Sequence, residues 1–536
     1  MRERVDRLLP LAAGLLLAVP VLAAPWPPSS DLSMHEGMVA LLARWGDASF
    51  EPPGLYRLAL GHGNQLFYFL AWPLAKLVGP GLACRGLLAL VVAATIASAG
   101  HLAAHLGRTR VAALAVAPAA LGWAFYWGFA PQMLGFALWL AVLPRLDRDA
   151  RRGTLRDVAA STFAIAFLGL AHIASMLCAA LASAVLVLVR PIGRRTPLRL
   201  VPSLVGCALA VLEDRWDRSV STPLARVFAS RVLWHSPLHK LLDLVAYVAG
   251  GHGMILEATI GLLLVVMAVL WQTSGRPEPT ETPAADLRAR LERHRFEVVA
   301  AILLLLYFAA PYSVNFGAFL YVRFLAPAFA LAVLLLAPPS GTGGALVVAP
   351  AVALLLAPIV AAVPQVSAAA EQSAALEPLI ARVDEGSAFA VLHFGKFDHG
   401  LLFDPTAFGN RILAERGGRE LASFTEYPIA PVIIAPERRW DSIVLRISAK
   451  SGSLRPATDL TRVEWVLAHV HDGALIPLVV RAFEPEAGLV DASGEWLLFR
   501  SRLAQVPVLA PDVASDGTAE TVQDRVTRAL RGGAPL

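Results

Sequence analysis

Long runs of apolar residues, separated by short polar or basic segments, fill the chain as far as Val363. Most runs have the length of about 17–25 residues that a helix needs to cross a bilayer. A shorter run at residues 64–79 contains Pro73 and Lys76, and we expect it to enter the membrane only in part. The other predicted spans lie near residues 8–26, 81–106, 111–126, 128–146, 157–172, 173–190, 199–213, 257–272, 296–313, 322–338 and 343–363, which gives about 11–13 crossings.

The pattern changes after the last of these runs. A helix is predicted over residues 376–383, and short apolar runs typical of strands follow it. We therefore predict a membrane body over residues 1–365 and a small α/β domain over residues 366–510. Residues 511–536 are polar and are expected to be poorly ordered. The predicted strands are Phe389–Phe394, Pro431–Ala435, Ser442–Ile447, Trp465–Val470 and Trp496–Arg500.

Composition excludes an ordinary soluble domain. Hydrophobic residues make up 57% of the 536 residues, charged residues make up 16%, and the mean hydropathy is +0.60. The net charge of +5 does not indicate a nucleic-acid partner, because the basic residues form short clusters between apolar runs. The three cysteines all lie in apolar runs, and their spacing fits neither a disulfide framework nor a zinc site.

The basic clusters also predict how the chain crosses the membrane. The N-terminus and residues 145–156, 190–199 and 276–295 can all lie in the cytoplasm, since an even number of spans separates the last three. The C-terminal domain then lies outside. Two loops on the outer side, residues 27–63 and 214–256, are long enough to carry function.

The first outer loop places Asp31, His35 and Glu36 just beyond the first span. Apolar residues recur at helical spacing from Met34 to Trp45, which predicts an amphipathic helix lying in the membrane interface. Asp31 is either a catalytic carboxylate or only the cap of this helix, since the sequence Ser29–Ser33 also fits a helix start. His35 and Glu36 are either functional or simply the wet face of the helix.

Basic residues in the second outer loop depart from the positive-inside trend. Such residues bind either a lipid phosphate or only the anionic headgroups of membrane lipids. His172 and Arg323 lie within or beside predicted spans, where ionisable groups are costly and therefore indicate function. The candidates of the second loop are Arg231, His235, His239 and Lys240.

Several stretches resemble bacterial members of the GT-C superfamily of integral-membrane glycosyltransferases, which includes protein mannosyltransferase-like and aminoarabinose transferase-like enzymes. They are the Asp31 loop, Gly63–Gly79, Phe125–Phe129, Tyr321–Leu325 and Gly494–Arg500. The resemblance implies a site outside the bacterial cytoplasmic membrane, a polyprenyl-phosphate-linked sugar donor, and Asp31 at the catalytic centre. The acceptor would be an extracytoplasmic glycan, lipid or protein. Whether a divalent cation takes part is left open.

The chemistry of such a transfer can be stated from the residues alone. A carboxylate is suited to take the proton of an acceptor hydroxyl, and positive charge stabilises the departing phosphate. Asp31, with Glu36 as second candidate, would be the base. Arg323 or the basic second loop would hold the phosphate, and the C-terminal domain would cover the acceptor side. The main alternative is a polytopic protein without transferase activity, either a transporter or flippase for a lipid-linked glycan or an assembly subunit.

Overall fold

A computed structural model describes residues 2–190, 193–220, 232–250, 254–273, 287–314, 318–340, 344–395, 401–421, 423–427, 430–440, 443–444, 447, 451–504 and 519–530. Most of these residues are helical, as the apolar runs predicted. A small sheet follows the last long helix. The chain is therefore a mostly helical membrane protein with a small α/β domain at its C-terminal end.

Helices build the membrane body from its first residues to Ile380. They are α1 (Arg2–Leu17), α2 (Val19–Ala23), α3 (Leu32–Ala43), α4 (Leu66–Val78), α5 (Pro80–His105), α6 (Ala117–Ala120), α7 (Trp123–Trp127), α8 (Ala130–Arg152), α9 (Leu155–Ala171), α10 (Ile173–Leu188), α11 (Thr196–Val220), α12 (Pro237–Leu242), α13 (Ala246–Ala249), α14 (Met254–Thr273), α15 (Leu287–Arg293), α16 (Arg295–Ala309), α17 (Leu325–Leu336) and α18 (Ala345–Ile380). The 3-10 helices Arg110–Val116 and Tyr321–Phe324 lead into α6 and α17.

Five segments of the described chain are long and apolar enough to cross a membrane. Further apolar helices, such as α10, are shorter. The protein is thus a multi-pass membrane protein, and the total of about 11–13 crossings stays a prediction. The five segments are Pro80–His105, Arg110–Trp127, Thr196–Trp216, Ile255–Thr273 and Ala345–Ile380.

Polar residues mark the two ends of the helical bundle. Near the end of α8, the buried Asp147 carboxylate pairs with Arg190 and Arg295, each at 2.7 Å. Near the start of α8, about 22 Å away at 1.5 Å per residue, Gln132 accepts a hydrogen bond from Arg323. The basic clusters around Arg190 and Arg295 therefore share one end of the bundle, as predicted. Arg323 lies at the other end.

Helix α4 is too short to cross the bundle. Its 13 residues span about 20 Å, less than the ~30 Å hydrocarbon core. Tyr68, near its start, contacts His35 of α3, and Gly81, just beyond its end, lies against Arg411 of the C-terminal domain. Both ends therefore lie on the same side, which agrees with the expectation that residues 64–79 do not span the membrane.

The last helix of the membrane body continues directly into the C-terminal domain. Helix α18 has 36 residues, about 54 Å, and passes the predicted boundary at residue 365 without a break. We call residues 381–530 the tail domain. Because α18 is one continuous helix, it fixes the start of the tail domain relative to the bundle more rigidly than a loop would.

The tail domain contains a mixed five-stranded sheet. Its strands are β2 (Ala388–Phe394), β3 (Arg419–Glu420), β5 (Trp465–Val470), β6 (Ala487–Ser493) and β7 (Trp496–Ser501), in the order β3-β2-β5-β7-β6. Strand β2 runs parallel to β3 and β5, and the pairs β5–β7 and β6–β7 are antiparallel. Short helices flank the sheet: α19 (Arg411–Arg416), α20 (Pro456–Asp459), α21 (Ile476–Phe483) and α22 (Val522–Leu530).

Two local predictions for the tail domain differ from the structure. The strand expected over Ser442–Ile447 is helical at Ile443 and Val444, because a short apolar run fits a buried helix turn as well as a strand. Part of the segment expected to be poorly ordered forms α22, since its Val522 and Val526 pack into the core of the tail domain.

Helix α3 is buried, which differs from the expected position on the membrane interface. Its residues pack on α4 and α5 on one side and on α19 of the tail domain on the other. Strand β1 (Tyr56–Leu58), from the same outer loop, pairs with β4 (Val432–Ile434) of the tail domain. The expected wet face of α3 is covered by the tail domain, so its ionisable side chains lie in the interior.

Candidate active site

A cavity of about 390 Å³ opens between the membrane body and the tail domain. We call it the site cavity. It lies at the end of the bundle where α3, α4 and α8 begin and where α7 and α9 end. Its polar lining residues are Asp31, His35, Asn64, Tyr68, Gln132, His172, Arg323 and Tyr427, and its other lining residues are Met34, Trp127, Phe129, Pro131, Ala318, Phe319, Phe424 and Ala430.

Asp31 occupies the cap position of α3, yet its side chain does not cap the helix. No hydrogen bond joins the carboxylate to the first N–H groups of α3. The Asp31 backbone N–H instead donates to the carbonyl of Trp127 at 3.0 Å, which fixes the start of α3 against α7. Among the described residues, none donates a hydrogen bond to this carboxylate or forms an ion pair with it. The side chain is partly exposed to the site cavity.

The surroundings of Asp31 shift the ionisation of its carboxyl group toward neutral pH. Burial raises the pKa of Asp31 to about 7, and the neighbouring carboxylate of Asp404 contributes to the increase. A carboxyl group with this pKa can exchange a proton under physiological conditions. Asp404 is itself fixed: its Oδ1 accepts a hydrogen bond from the Thr406 N–H, and its N–H donates to Ser30.

His35 lies four residues after Asp31 and therefore on the same side of α3. Its Nε2–H donates to the carbonyl of Gly128 at 3.0 Å, so Nδ1 accepts from the hydroxyl of Tyr68 at 2.7 Å. Burial lowers the pKa of His35 to about 4. His35 is therefore neutral at pH 7, and both ring nitrogens are occupied within the protein. It orients Tyr68 at the edge of the site cavity.

Arg323 provides a cation on the wall formed by the membrane helices. Its guanidinium donates to Gln132 Oε1 at 2.9 Å, to His172 Nε2 at 2.7 Å and to the carbonyl of Ala318 at 3.3 Å. These bonds use three of the five N–H donors of an arginine. No carboxylate of the described residues pairs with it. His172 connects α9 to α10, and its buried Nδ1 has no hydrogen-bond partner in the described chain.

Aromatic rings form the apolar part of the cavity wall. The membrane body contributes Trp127, Phe129 and Phe319, which pack on one another with ring centroids 4.9–6.2 Å apart. The tail domain contributes Phe424 and Tyr427. Rings on both sides give the cavity flat apolar surfaces beside its two charged groups.

Glu36 lies outside the lining of the site cavity. Five residues along a helix place it roughly 140° around α3 from Asp31. Its Oε2 accepts a hydrogen bond from Arg411 Nη1 of the tail domain at 2.7 Å; the Glu36 side chain is buried and the Arg411 side chain is largely buried. Burial raises the pKa of Glu36, whereas the Arg411 charge lowers it. The structure thus puts Glu36 in the contact between the membrane body and the tail domain.

The basic residues of the second outer loop also lie outside the lining. The ammonium group of Lys240 donates to the carbonyls of Phe308 and Ala310 at 2.8 and 2.6 Å, at the end of α16. His239 pairs with Asp243 at 2.9 Å on the surface, and His235 bonds to the hydroxyl of Tyr321 at 3.0 Å. Arg231 lies outside the described residues.

Of the predicted site residues, four line the site cavity together: Asp31, His35, His172 and Arg323. Sequence reasoning missed Gln132, Tyr68, Asp404 and Arg411. Gln132 was detectable, since a polar side chain in the first turn of an apolar helix needs a partner. Asp404 and Arg411 carry no comparable signal, because they are ordinary charged residues of a soluble domain.

A second cavity of about 330 Å³ lies beside α9, α10 and α11. We call it the lateral cavity. It is lined mainly by apolar side chains, with His62 and Glu213 3.3 Å apart at one edge. Asn64 of the site cavity bonds to Gly169 and Ile173, which line the lateral cavity. Asn64 therefore connects the walls of the two cavities.

No protein-family model matches the chain, and no curated protein matches it. Among solved structures, it is similar to the arabinofuranosyltransferase AftD from Mycobacteria, with 15% identity over 99% of this chain and a TM-score of 0.42. The chain spans only 43% of the length of that protein. It is also similar to ArnT from Cupriavidus metallidurans bound to undecaprenyl phosphate, with 14% identity, a TM-score of 0.45, and coverage of 93% of this chain and 99% of ArnT. These similarities are too distant to transfer a role to any residue.

Replacing Asp31 with asparagine should stabilise the protein in a pH-dependent manner. The folded pKa of about 7 exceeds the ordinary value near 3.9, so the folded state binds more protons between these pH values and wild-type stability falls as pH rises. The advantage of Asp31→Asn in melting temperature should widen from pH 5 to about pH 7.5 and then level off. At about 1.4 kcal/mol per pKa unit, it should not exceed about 4 kcal/mol.

Asp47 in the same loop is the matched control for this experiment. Hydrogen bonds from Ser49 and Arg44 lower the pKa of Asp47 to about 2. Asp47→Asn should therefore show no gain that grows with pH. A difference in melting temperature between Asp31→Asn and wild type that stays the same at every pH would contradict the raised pKa of Asp31.

Removing Arg411 from the Glu36–Arg411 pair should be strongly destabilising. Arg411→Met leaves the buried Glu36 carboxylate without its partner, which costs about 3–5 kcal/mol. Glu36→Gln should cost less, because Arg411 still pairs with Glu415 at 3.4 Å. The double variant should lose less than the sum of the two single losses, because it leaves neither charge behind. Unfolding in detergent measures all three variants. Strictly additive losses would contradict the pairing, and the exposed Arg44–Asp47 pair, as the control, should show much weaker coupling because solvent screens it.

Proposed function

We propose that the protein is a glycosyltransferase of the GT-C type. It would move a sugar from a polyprenyl-phosphate donor to a hydroxyl of an extracytoplasmic glycan, lipid or protein. The observation that supports this most strongly is the presence of an acidic and a basic group in the same cavity. The Asp31 carboxylate and the Arg323 guanidinium both line the site cavity, and neither has an ionic partner among the described residues.

The phosphate of the donor would bind at Arg323. A buried cation is costly unless it meets an anion, and Arg323 retains N–H donors beyond those accepted by Gln132, His172 and Ala318. Guanidinium groups bind phosphate oxygens through two parallel hydrogen bonds. The same charge would stabilise the phosphate as the bond to the sugar C1 breaks.

Asp31 would act as the general base. As the C1–O bond to phosphate breaks, the acceptor oxygen attacks C1 and its proton passes to the Asp31 carboxylate. A base with a pKa near 7 is half-ionised at neutral pH and still takes a proton readily. Asp404 would contribute indirectly, by raising the pKa of Asp31.

The remaining predicted residues would position the site. His35 orients Tyr68 through their 2.7 Å hydrogen bond, and His172 orients Arg323. Glu36 would hold α3 against the tail domain through Arg411. The aromatic rings of the membrane body and the tail domain would pack on the apolar faces of the sugar.

The proposed function also implies where the protein lies in the cell. The donor reaches the site cavity from the membrane, so the protein would lie in the bacterial cytoplasmic membrane, with its N-terminus inside and the tail domain outside. Membrane lipids would surround the bundle. The described lining of the site cavity offers one carboxylate and two histidines, one of which is held by Tyr68 and Gly128. The proposed transfer step therefore uses only the side chains of the protein.

Transfer of labelled sugar from a panel of polyprenyl-phosphate donors tests the proposal. Membranes would carry wild type, Asp31→Asn or the control Asp47→Asn at matched abundance. Wild type and Asp47→Asn should transfer the sugar, and Asp31→Asn should be slower by about 10²–10⁴-fold, the contribution typical of a general base. Activity of the wild type should rise with pH through about 7 as Asp31 loses its proton.

The outcomes separate the proposal from its alternative. Equal transfer by wild type and Asp31→Asn would remove the base from Asp31. The absence of transfer across a broad donor panel, with the protein folded, would favour a transporter, a flippase or an assembly subunit. A rate that falls as pH rises through 7 would contradict an ionised Asp31 as the base.

A further inference from the structure

Three side chains capable of binding a metal ion meet at one end of the tail-domain sheet. His469 lies in β5, His471 follows directly after this strand, and Glu495 lies in the turn between β6 and β7. His469 Nε2 is 3.0 Å from Glu495 Oε2, and His471 Nδ1 is 3.6 Å from the same oxygen. All three ligand atoms lie within 4.8 Å of one another.

The spacing suits a zinc-sized ion. Tetrahedral zinc holds nitrogen and oxygen ligands at about 2.0–2.1 Å, which places two ligand atoms roughly 3.3 Å apart. The two measured distances lie on either side of this value. Two imidazoles and one carboxylate are an established zinc ligand set that leaves the fourth position for water or another ligand.

The backbone already holds the three residues in place. His469 stands opposite Trp496 in the β5–β7 ladder, and the Val470 N–H donates to the carbonyl of Glu495 at 2.8 Å. His471 extends from the same end of β5. An ion could therefore bind without rearrangement of the sheet, since neighbouring strands supply all three ligands.

The surrounding hydrogen bonds are those of a metal site. A metal-binding histidine usually bonds through its other ring nitrogen to a neighbouring group, which fixes the ring. Here the Nδ1 of the buried His469 lies 3.2 Å from the hydroxyl of Thr406. Gln372 Nε2 lies 3.5 Å from Glu495 Oε2.

His471 distinguishes a metal site from an ordinary ion pair. A histidine–carboxylate pair accounts for His469 and Glu495, but it leaves His471 unexplained. The Nδ1 of His471 is buried and makes no hydrogen bond within the described chain, although it points toward Glu495. A buried polar atom without a partner is costly, and an ion between the three groups would satisfy it.

We propose that His469, His471 and Glu495 bind one divalent ion of the zinc class. The ion would hold the β6–β7 turn against β5 as a structural clamp of the tail domain. It would also hold Thr406, and Thr406 in turn bonds to Asp404 beside Asp31. The site is separate from the lining of the site cavity and does not depend on the proposed transferase activity.

Metal content of the purified full-length protein tests this site directly. The protein would be prepared without a polyhistidine tag, stripped with a chelator, reloaded with Zn²⁺ and freed of excess metal. Mass spectrometry should find one zinc per chain in wild type and in the control His239→Gln, which removes a histidine from a surface histidine–aspartate pair. His471→Gln and Glu495→Gln should bind zinc at least 100-fold more weakly, and Co²⁺ in wild type should give the visible spectrum of a four-coordinate ion.

A milder variant keeps the test valid if a ligand substitution prevents folding. Thr406→Val removes the hydrogen bonds that join the Thr406 hydroxyl to His469 and to His393 but leaves all three proposed ligands in place, and it should weaken zinc binding by about 10–100-fold. Wild type that binds no zinc after reloading would overturn the proposal. Full zinc content in folded His471→Gln would do the same, and equal loss in His239→Gln would show only adventitious binding.

Discussion

The buried ion pair between Glu36 and Arg411 is the interaction on which the rest of the site depends. It joins α3, which follows the first apolar helices, to α19 of the tail domain. Two charges in the interior tolerate each other only in close contact, since either one alone would cost several kcal/mol. The pair holds the Glu36 side of α3 against the tail domain, while Asp31 and His35 lie on the part of the helix that lines the site cavity.

Both charged groups of the site cavity belong to the membrane body, and they come from different parts of it. Asp31 belongs to the loop that packs beneath the tail domain, whereas Arg323 is held by Gln132 and His172 of the membrane helices. In an environment with few water molecules, unpaired charges act more strongly than on a surface. A phosphate would fit beside Arg323, and a hydroxyl that loses its proton would fit beside Asp31. The proposed donor, a polyprenyl-phosphate sugar, would supply the phosphate, and its acceptor would supply the hydroxyl.

The sequence predicted the membrane body well because bilayer thickness imposes a length and composition that are readable locally. It also indicated Asp31, His172 and Arg323 as candidate site residues, since ionisable groups beside membrane spans are rare. It did not predict that α3 is buried. An amphipathic helix that lies on a membrane and one that is covered by a soluble domain have the same spacing of apolar residues. The burial of α3 follows only from its contacts with the tail domain, which the spacing does not reveal.

Contacts between segments that are distant along the chain explain the other residues whose positions differ from the sequence predictions. Glu36 looked like a second catalytic acid because it lies near Asp31 in sequence, but its partner is 375 residues away. His469 and His471 are likewise separated from Glu495 along the chain, and the pairing of β5 with β7 brings the three together. Spacing along the chain cannot reveal ligands that meet through sheet register.

The most direct test of this account is a cryo-electron microscopy map of the protein with undecaprenyl phosphate bound. The account predicts density for the phosphate in the site cavity, within hydrogen-bond distance of the Arg323 guanidinium, with Asp31 facing it across the space for the sugar. Phosphate density beside Lys240 or in the lateral cavity, with the Arg323 guanidinium free of it, would contradict the account.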